Sequence, residues 1–332
     1  MADQSWSPRS LLATSNSYWQ TCVLHAAVEL DLFTPLDERS ETPQTLALLI
    51  GADRDALERL LGALAAMKLL VKKGDGEFTC PQNVAQLLSR RSPRYLGHIV
   101  LHHQQLMESW KRLSQAVKSG LPVRQPYAGD DPEWRRNFLL GMFDLARLLA
   151  PKMAAAIDLS DRRRLIDLGG GPGTWAIHFC LENPKLEAVV YDLPTTRPFA
   201  EETIARFGLS DRISFQAGNF LKEKIPGSYH VAWLSHILHG EGPGDVRIIL
   251  EQAASVLEPG GLLLIHEFVL DDDLAGPLFP ALFSLNMLLG TREGRSYSET
   301  QLFDFLRSAG FRDLRRLALD LPGDSSVIAA IL

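Results

Sequence analysis

Apolar positions divide the chain before any single residue does. Around Leu57, Leu60, Leu61, Leu64 and Met67 they recur at i, i+3, i+4, i+7 and i+10, one face of a helix. Next comes LLVKKGDGEFTCP, where LLV and EFT flank Gly74-Asp75-Gly76 and predict a β-hairpin. Residues 10 to about 110 otherwise read as short helices, so a helix followed by a small hairpin predicts a winged-helix-like domain. From about 111 to 158 the pattern is helical, interrupted near LPVRQPYAGDDP. Its second half, NFLLGMFDLARLLAPKM, is apolar on more than one face, as in a helix that is buried or faces two domains.

Beyond that point the texture changes to alternation. RLIDL, LEAVVYD, RISFQA, HVAWLS and LLLIHEFV read as strands, and TWAIHFCLE, RPFAEETIARFG and GDVRIILEQAASVLEPGG between them as helices. Such alternation predicts a parallel sheet with helices on both faces. The tail RDLRRLALDLPGDSSVIAAIL predicts two strands around Pro322-Gly323-Asp324, hence an antiparallel last strand. The expected class is α/β, with boundaries at 1–110, 111–158 and 159–332.

Composition narrows the partners. The 332 residues allow about two domains and a large core, and hydrophobic and charged fractions of 46% and 22% are those of a globular protein. A net charge of −6 lacks the basic footprint of a nucleic-acid binder, so the winged-helix-like part reads as a protein-contact domain. No apolar run approaches the ~18 residues of a membrane span, and MADQSWSPRS has neither a basic nor an apolar signal region. Cys22, Cys80 and Cys180 are odd in number and form no CxxC pair, which suits a reducing cytoplasm.

The most informative segment is LIDLGGGPGTWA, residues 165–176: strand end, glycines, helix start. Glycines let backbone approach a ligand, and the helix N-terminus offers free N–H groups. A dinucleotide fingerprint wants G-x-G-x-x-G, but from Gly169 the sixth position is Thr174. The spacing here is instead Gly169, Gly171, Gly173, led by Asp167. The following strand ends in VVYDLP, placing Asp192 where a carboxylate can accept ribose hydroxyls.

Together these signals resemble the class I S-adenosylmethionine (SAM) methyltransferases. SAM has a ribose and no phosphate, so Asp167 can face its cationic amine. The resemblance narrows to the small-molecule O-methyltransferases of the plant caffeate and hydroxyindole type and their bacterial polyketide relatives. HAAVELDLFTPL looks like their N-terminal dimerisation segment, LIDLGGGPG their SAM loop and YDLP their ribose-binding strand end. AGNF looks like their GDF with Asn219 for the usual Asp; ILHGEGPGD resembles their ILHDW-type catalytic segment. LEPGG, HEFVL and GRSYSETQLFDFLRSAGF match later segments. The implied fold is a Rossmann-like sheet with an antiparallel last strand behind a winged-helix-like dimerisation domain.

That resemblance implies a homodimer, SAM as cofactor, no metal, and a small aromatic or polyketide-like hydroxyl acceptor. A phenol of pKa near ~10 needs a base, and an imidazole of ~6.5 serves. His239, just past the strand HVAWLS, matches the family's base; Glu267 is its expected partner and Glu293 the candidate second acid. Leu193 is expected to stack on adenine, Asn219 and Phe220 to lie at its edge, and Ser235 near the methionyl end. The substrate pocket is expected to hold Phe138, Met142, Asn286 and Met287. His236, a position where one helical turn brings it beside His239, is grouped with that pocket in a structural or SAM-adjacent role. His102 and His103 are expected to pack between domains. The family's Asp-Trp after the base is Gly240-Glu241 here, which removes an aromatic wall and leaves room for C- or N-methylation or a hydroxylase-type reaction. A winged-helix regulator is the reading from another class, and the acidic charge opposes it.

Overall fold

The computed structural model describes residues 6–124, 132–319 and 321–332. These fall into two compact units, one within Met1–Leu106 and Arg136–Asp144, the other within Met107–Arg135 and Leu145–Leu332. The long helix Pro132–Ala156 contributes residues to both. Most of the proline- and glycine-rich stretch expected as a loop, residues 125–131, lies outside the described residues.

In the first unit, helices Pro43–Ile50 and Arg54–Ala66 start at side-chain caps. The Thr42 hydroxyl accepts from the Thr45 N–H at 3.1 Å, and the Asp53 carboxylate from the Ala56 N–H at 2.8 Å. The face predicted from periodicity is the buried one: Leu57, Leu61 and Leu64 join Leu46 and Phe78 in one core. A hairpin follows, β1 (Val71–Lys72) antiparallel to β2 (Phe78–Thr79), with Glu41 bridging to Phe78. Helices, then a small wing, is the winged-helix-like arrangement expected. By contrast, helix Pro8–Asn16 buries no residue, and Trp6, Leu11, Leu12, Tyr18 and Trp19 are exposed.

The second unit is built on one sheet. Its strands are β3 (Arg164–Leu168), β4 (Glu187–Asp192), β5 (Ile213–Ala217), β6 (Tyr229–Ser235), β7 (Leu257–Leu270), β8 (Tyr297–Ser298), β9 (Arg312–Arg316) and β10 (Ser325–Ile331). The order is β5-β4-β3-β6-β7-β10-β9, with β8 beside β7. Strands β3 to β7 pair in parallel, whereas β10 is antiparallel to β7 and β9. Both faces are covered, so the strands read as continuous apolar runs. Leu165 and Trp233 point into one core with Trp175 and Phe179; Ile166 and Leu234 point into the other with Leu250. Strand order reverses between β3 and β6, which opens a ligand crevice at their carboxyl ends.

Two boundaries differ from the sequence reading. LEPGG does not extend the preceding helix: Pro243–Val256 stops and Leu257 begins β7, because Pro259 and the positive φ of Gly260 (77°) cannot continue a helix. The penultimate strand ends at Arg316 rather than running to the turn, since Leu319 folds its N–H back onto the Leu317 carbonyl at 2.9 Å.

Candidate active site

The glycine loop sits at the end of β3. Gly169 has φ 69°, and the place a Cβ would take is filled by the Ile237 side chain. Glycine lets this loop interlock with the segment after β6, so the Ile237 side chain seated on the bare Gly169 Cα ties the two halves of the site together. Gly171 donates its N–H to the Asp192 carboxylate at 2.8 Å, and Gly173 bounds helix Thr174–Glu182.

Asp167 is buried beneath this loop. Its Oδ2 accepts from the Ala176 N–H at 3.3 Å, and its Oδ1 has no hydrogen-bond partner. Burial pushes its carboxyl up to about 7 against the pull of that N–H, and the Asp192 charge adds to the rise. Asp192 is also raised by burial, opposed by the N–H groups of Gly171 and Leu193 and the Thr196 hydroxyl. Next to it Leu193 leaves 44% of its surface exposed. Two carboxylates in an apolar setting, one with an unpaired oxygen, oppose a pyrophosphate and suit a ligand that is cationic and carries hydroxyls. SAM fits that donor set, with its ammonium, ribose hydroxyls and adenine.

The remaining cofactor candidates are partly occupied by local bonds. Asn219 accepts the Leu221 N–H at 2.9 Å through its side-chain oxygen, so this oxygen is already in use within its own turn. Phe220 packs beside the core near Gly169. Ser235, expected near the methionyl end, turns its hydroxyl to His266 Nδ1 at 3.0 Å. His266 is buried and bonds Ser325 through Nε2 at 3.2 Å; burial lowers its pKa well below the usual value.

The catalytic candidates meet across β6 and β7. His239 lies in a short 3-10 turn, Leu238–Gly240, after β6; Glu267 projects from β7. His239 Nδ1 and Glu267 Oε2 are 2.7 Å apart, and the His239 backbone N–H donates to Oε1 at 3.3 Å. Both carboxylate oxygens therefore hold the same residue. Burial would push Glu267 up, but His239 and His236 outweigh it and keep the carboxyl below the usual range. His236 stands at φ 57°, not in a regular helical turn with His239, and its Nδ1 is 3.7 Å from Glu267 Oε2.

Glu293 makes no hydrogen bond or ion pair to His239 or Glu267. It is exposed, its side chain covers Gly242, and it makes no side-chain hydrogen bond or ion pair among the described residues. Gly294 beside it is the close neighbour: a Cβ there would lie 2.7 Å from the carbonyl oxygens of His239 and Gly240.

Among the substrate candidates, Asn286 and Met287 are buried on helix Leu278–Gly290, and Arg124 donates to Asn286 Oδ1 at 3.1 Å. Phe138 and Met142 belong to the first unit, where Phe138 packs on His102 with ring centroids 5.3 Å apart. The aromatic wall expected to be lost is supplied from elsewhere. The Phe283 ring stands edge-on to His239 at 4.7 Å and touches Phe268, which in turn meets Phe279 at 4.8 Å. Sequence reasoning missed these rings because Phe279 and Phe283 lie on a helix whose apolar spacing looks like ordinary core, and Phe268 ends an apolar strand. Arg124 and His266 gave no pattern signal either.

With the geometry in place, the relatives are informative. An O-methyltransferase domain model matches residues 103–312, and an O-methyltransferase dimerisation domain model matches 12–87. The chain belongs to the O-methyltransferase family, and is an enzyme that uses S-adenosylmethionine as methyl donor. It is 33% identical to 3-hydroxy-5-methyl-1-naphthoate 3-O-methyltransferase of Streptomyces sahachiroi, over 98% of this chain and 95% of that one. It is 31% identical to the tetracenomycin polyketide synthesis 8-O-methyl transferase of Streptomyces glaucescens, over 95% and 94%. Human N-acetylserotonin methyltransferase, solved with SAM, superposes with a TM-score of 0.88 at 26% identity, covering 100% of this chain and 99% of that one. No helix among the described residues is long and apolar enough to cross a membrane.

Proposed function

We infer that the enzyme methylates a hydroxyl oxygen of a small, flat aromatic or polyketide-like molecule, with His239 as general base and Glu267 as its positioning carboxylate. The observation that carries this reading is the 2.7 Å contact between His239 Nδ1 and Glu267 Oε2. An ionised Glu267 keeps the ring proton on Nδ1, so the lone pair stands on Nε2. That nitrogen takes the acceptor's proton as its oxygen attacks in line, and Glu267 steadies the imidazolium that forms. SAM supplies the electrophilic methyl carbon when bound. Asp167 is assigned to its ammonium, Asp192 to its ribose, Leu193 and Phe220 to its adenine, with the Asn219 amide N–H groups at the ring edge. The proton transfer asks for no metal ion, because an imidazole performs it.

Phe268, Phe279 and Phe283 beside His239 favour a planar ring system as acceptor. One relative is named for a hydroxynaphthoate and another for tetracenomycin polyketide synthesis, which supports an aromatic or polyketide-like acceptor here. A homodimer through the N-terminal domain is supported by the dimerisation match and by exposed Leu11, Leu12, Tyr18 and Trp19. Three unpaired cysteines suit the cytoplasm. The test is incubation with methyl-labelled SAM and hydroxynaphthoates or hydroxylated polyketides, with the label's position read by mass spectrometry and NMR. Label on an aromatic oxygen, lost in His239→Ala, is expected. Label on carbon or nitrogen overturns the O-methyl assignment, and undiminished transfer by the variant overturns the base.

A further inference from the structure

The neighbourhood of Glu267 holds one residue the methyl transfer does not use. His236 follows β6 directly, and its backbone N–H donates to the His266 carbonyl at 2.8 Å. Its φ of 57° is left-handed, a conformation disfavoured for a non-glycine residue. The ring is wedged against His266 and Phe268, each with centroids 4.3 Å away. So held, its Nδ1 faces Glu267 Oε2 at 3.7 Å, too far for a hydrogen bond, and is buried without a hydrogen-bond partner.

Three donors therefore converge: one nitrogen each from His236 and His239, and a carboxylate oxygen of Glu267, all within 4.8 Å of one another. Tetrahedral ligands bound to one ion at ~2.0–2.2 Å stand about 3.3–3.6 Å apart, and the contacts of 2.7 and 3.7 Å lie either side of that spacing. We propose that His236, His239 and Glu267 form a binding site for a divalent transition ion of the zinc class, and that occupancy switches the enzyme off. Two imidazoles and one carboxylate are a borderline-soft set that zinc, cobalt or nickel prefers and magnesium or calcium does not. The ion replaces the proton on His239 Nδ1, and that proton moves to Nε2. A ring protonated on Nε2 cannot accept the acceptor's proton, so inhibition follows from the tautomer alone. This second half rests on His239 being the base; the binding half does not.

Tag-free enzyme is titrated with Co²⁺ and its visible absorption recorded, then Zn²⁺ is titrated against a chromophoric chelator and against methyl transfer. One ion per chain is expected, with d–d bands of a four- or five-coordinate site bleached by Zn²⁺. His236→Asn keeps a side chain that accepts positive φ and is expected to weaken binding at least tenfold. Glu267→Gln is expected to do the same, and His236→Asn decides alone if that second protein fails to fold. Zn²⁺ is expected to inhibit with the same midpoint as it binds, Mg²⁺ is expected to have no effect, and a chelator is expected to restore turnover. No bands from the wild type, or bands and affinity unchanged in His236→Asn, overturns the site. Stoichiometric binding with undiminished turnover upholds the site and instead overturns His239 as the base.

Discussion

Asp167 and Glu267 are both fully buried carboxylates at the mouth of the same sheet, yet they titrate in opposite directions. Asp167 has a single N–H against one oxygen and a second carboxylate nearby, and its pKa rises to about 7. Glu267 has an imidazole at 2.7 Å and another at 3.7 Å, and stays ionised. Burial is common to both; the partners decide the sign. The glycine-loop side is thus left wanting a cation, as a SAM ammonium provides, while the base side is complete before any ligand arrives.

The largest effect should come from breaking the completed side. His239→Ala is expected to lower kcat/KM by about 10²–10⁴-fold while SAM affinity, read by calorimetry, stays within a few-fold. Next comes the unfinished side. The Asp167 carboxyl binds its proton in the folded state up to about pH 7 but in the unfolded chain only to about 3.9. The contribution of Asp167 to the stability of the ligand-free enzyme should therefore be full below pH ~4 and be lost as pH rises through 7, by up to ~4 kcal/mol. Denaturant unfolding at several pH values checks this, and Asp167→Asn should flatten the slope. SAM should bind more tightly as pH rises through the same range; a pH-independent affinity would falsify the pairing of Asp167 with the ammonium.

The link between the two sides is smaller but sharper. Gly169→Ala puts a methyl group into the Ile237 side chain at a positive φ, and should cost about 2–3 kcal/mol of stability. Adding Ile237→Ala should return the steric part and leave the backbone part, a coupling that a double-mutant cycle measures. Smallest is Thr196→Val, which removes a 3.2 Å hydrogen bond to Asp192 and should cost about 1 kcal/mol.

Much of this is legible in the sequence. Strand-to-helix alternation announced the sheet, since parallel strands buried on both faces must be continuously apolar. The Asp167-to-Gly173 spacing and Asp192 pick out the end we propose for the cofactor, and His239 and Glu267 are in contact although 28 residues apart. Glu293 is the candidate that spacing could not orient: its side chain lies against Gly242 and makes no hydrogen bond to His239 or Glu267, and spacing says nothing of which way an exposed loop turns a side chain. The aromatic wall escaped because the Gly240-Glu241 departure was visible while its replacement, Phe283, sits on a distant helix.

The sequence by itself determined the elements, the parallel sheet with its antiparallel last strand, and the residue types of the chemistry. Local patterning carries that information, because periodicity and glycine or proline punctuation act within a few residues of chain. Only the tertiary structure decided that Asp167 lacks a full set of partners and Glu267 has two, that Gly169 must admit Ile237, and that His236 faces the same carboxylate as His239. Those are properties of side chains meeting from different strands, and a charge, a tautomer or a metal site depends on what lies within a few ångströms rather than within a few residues.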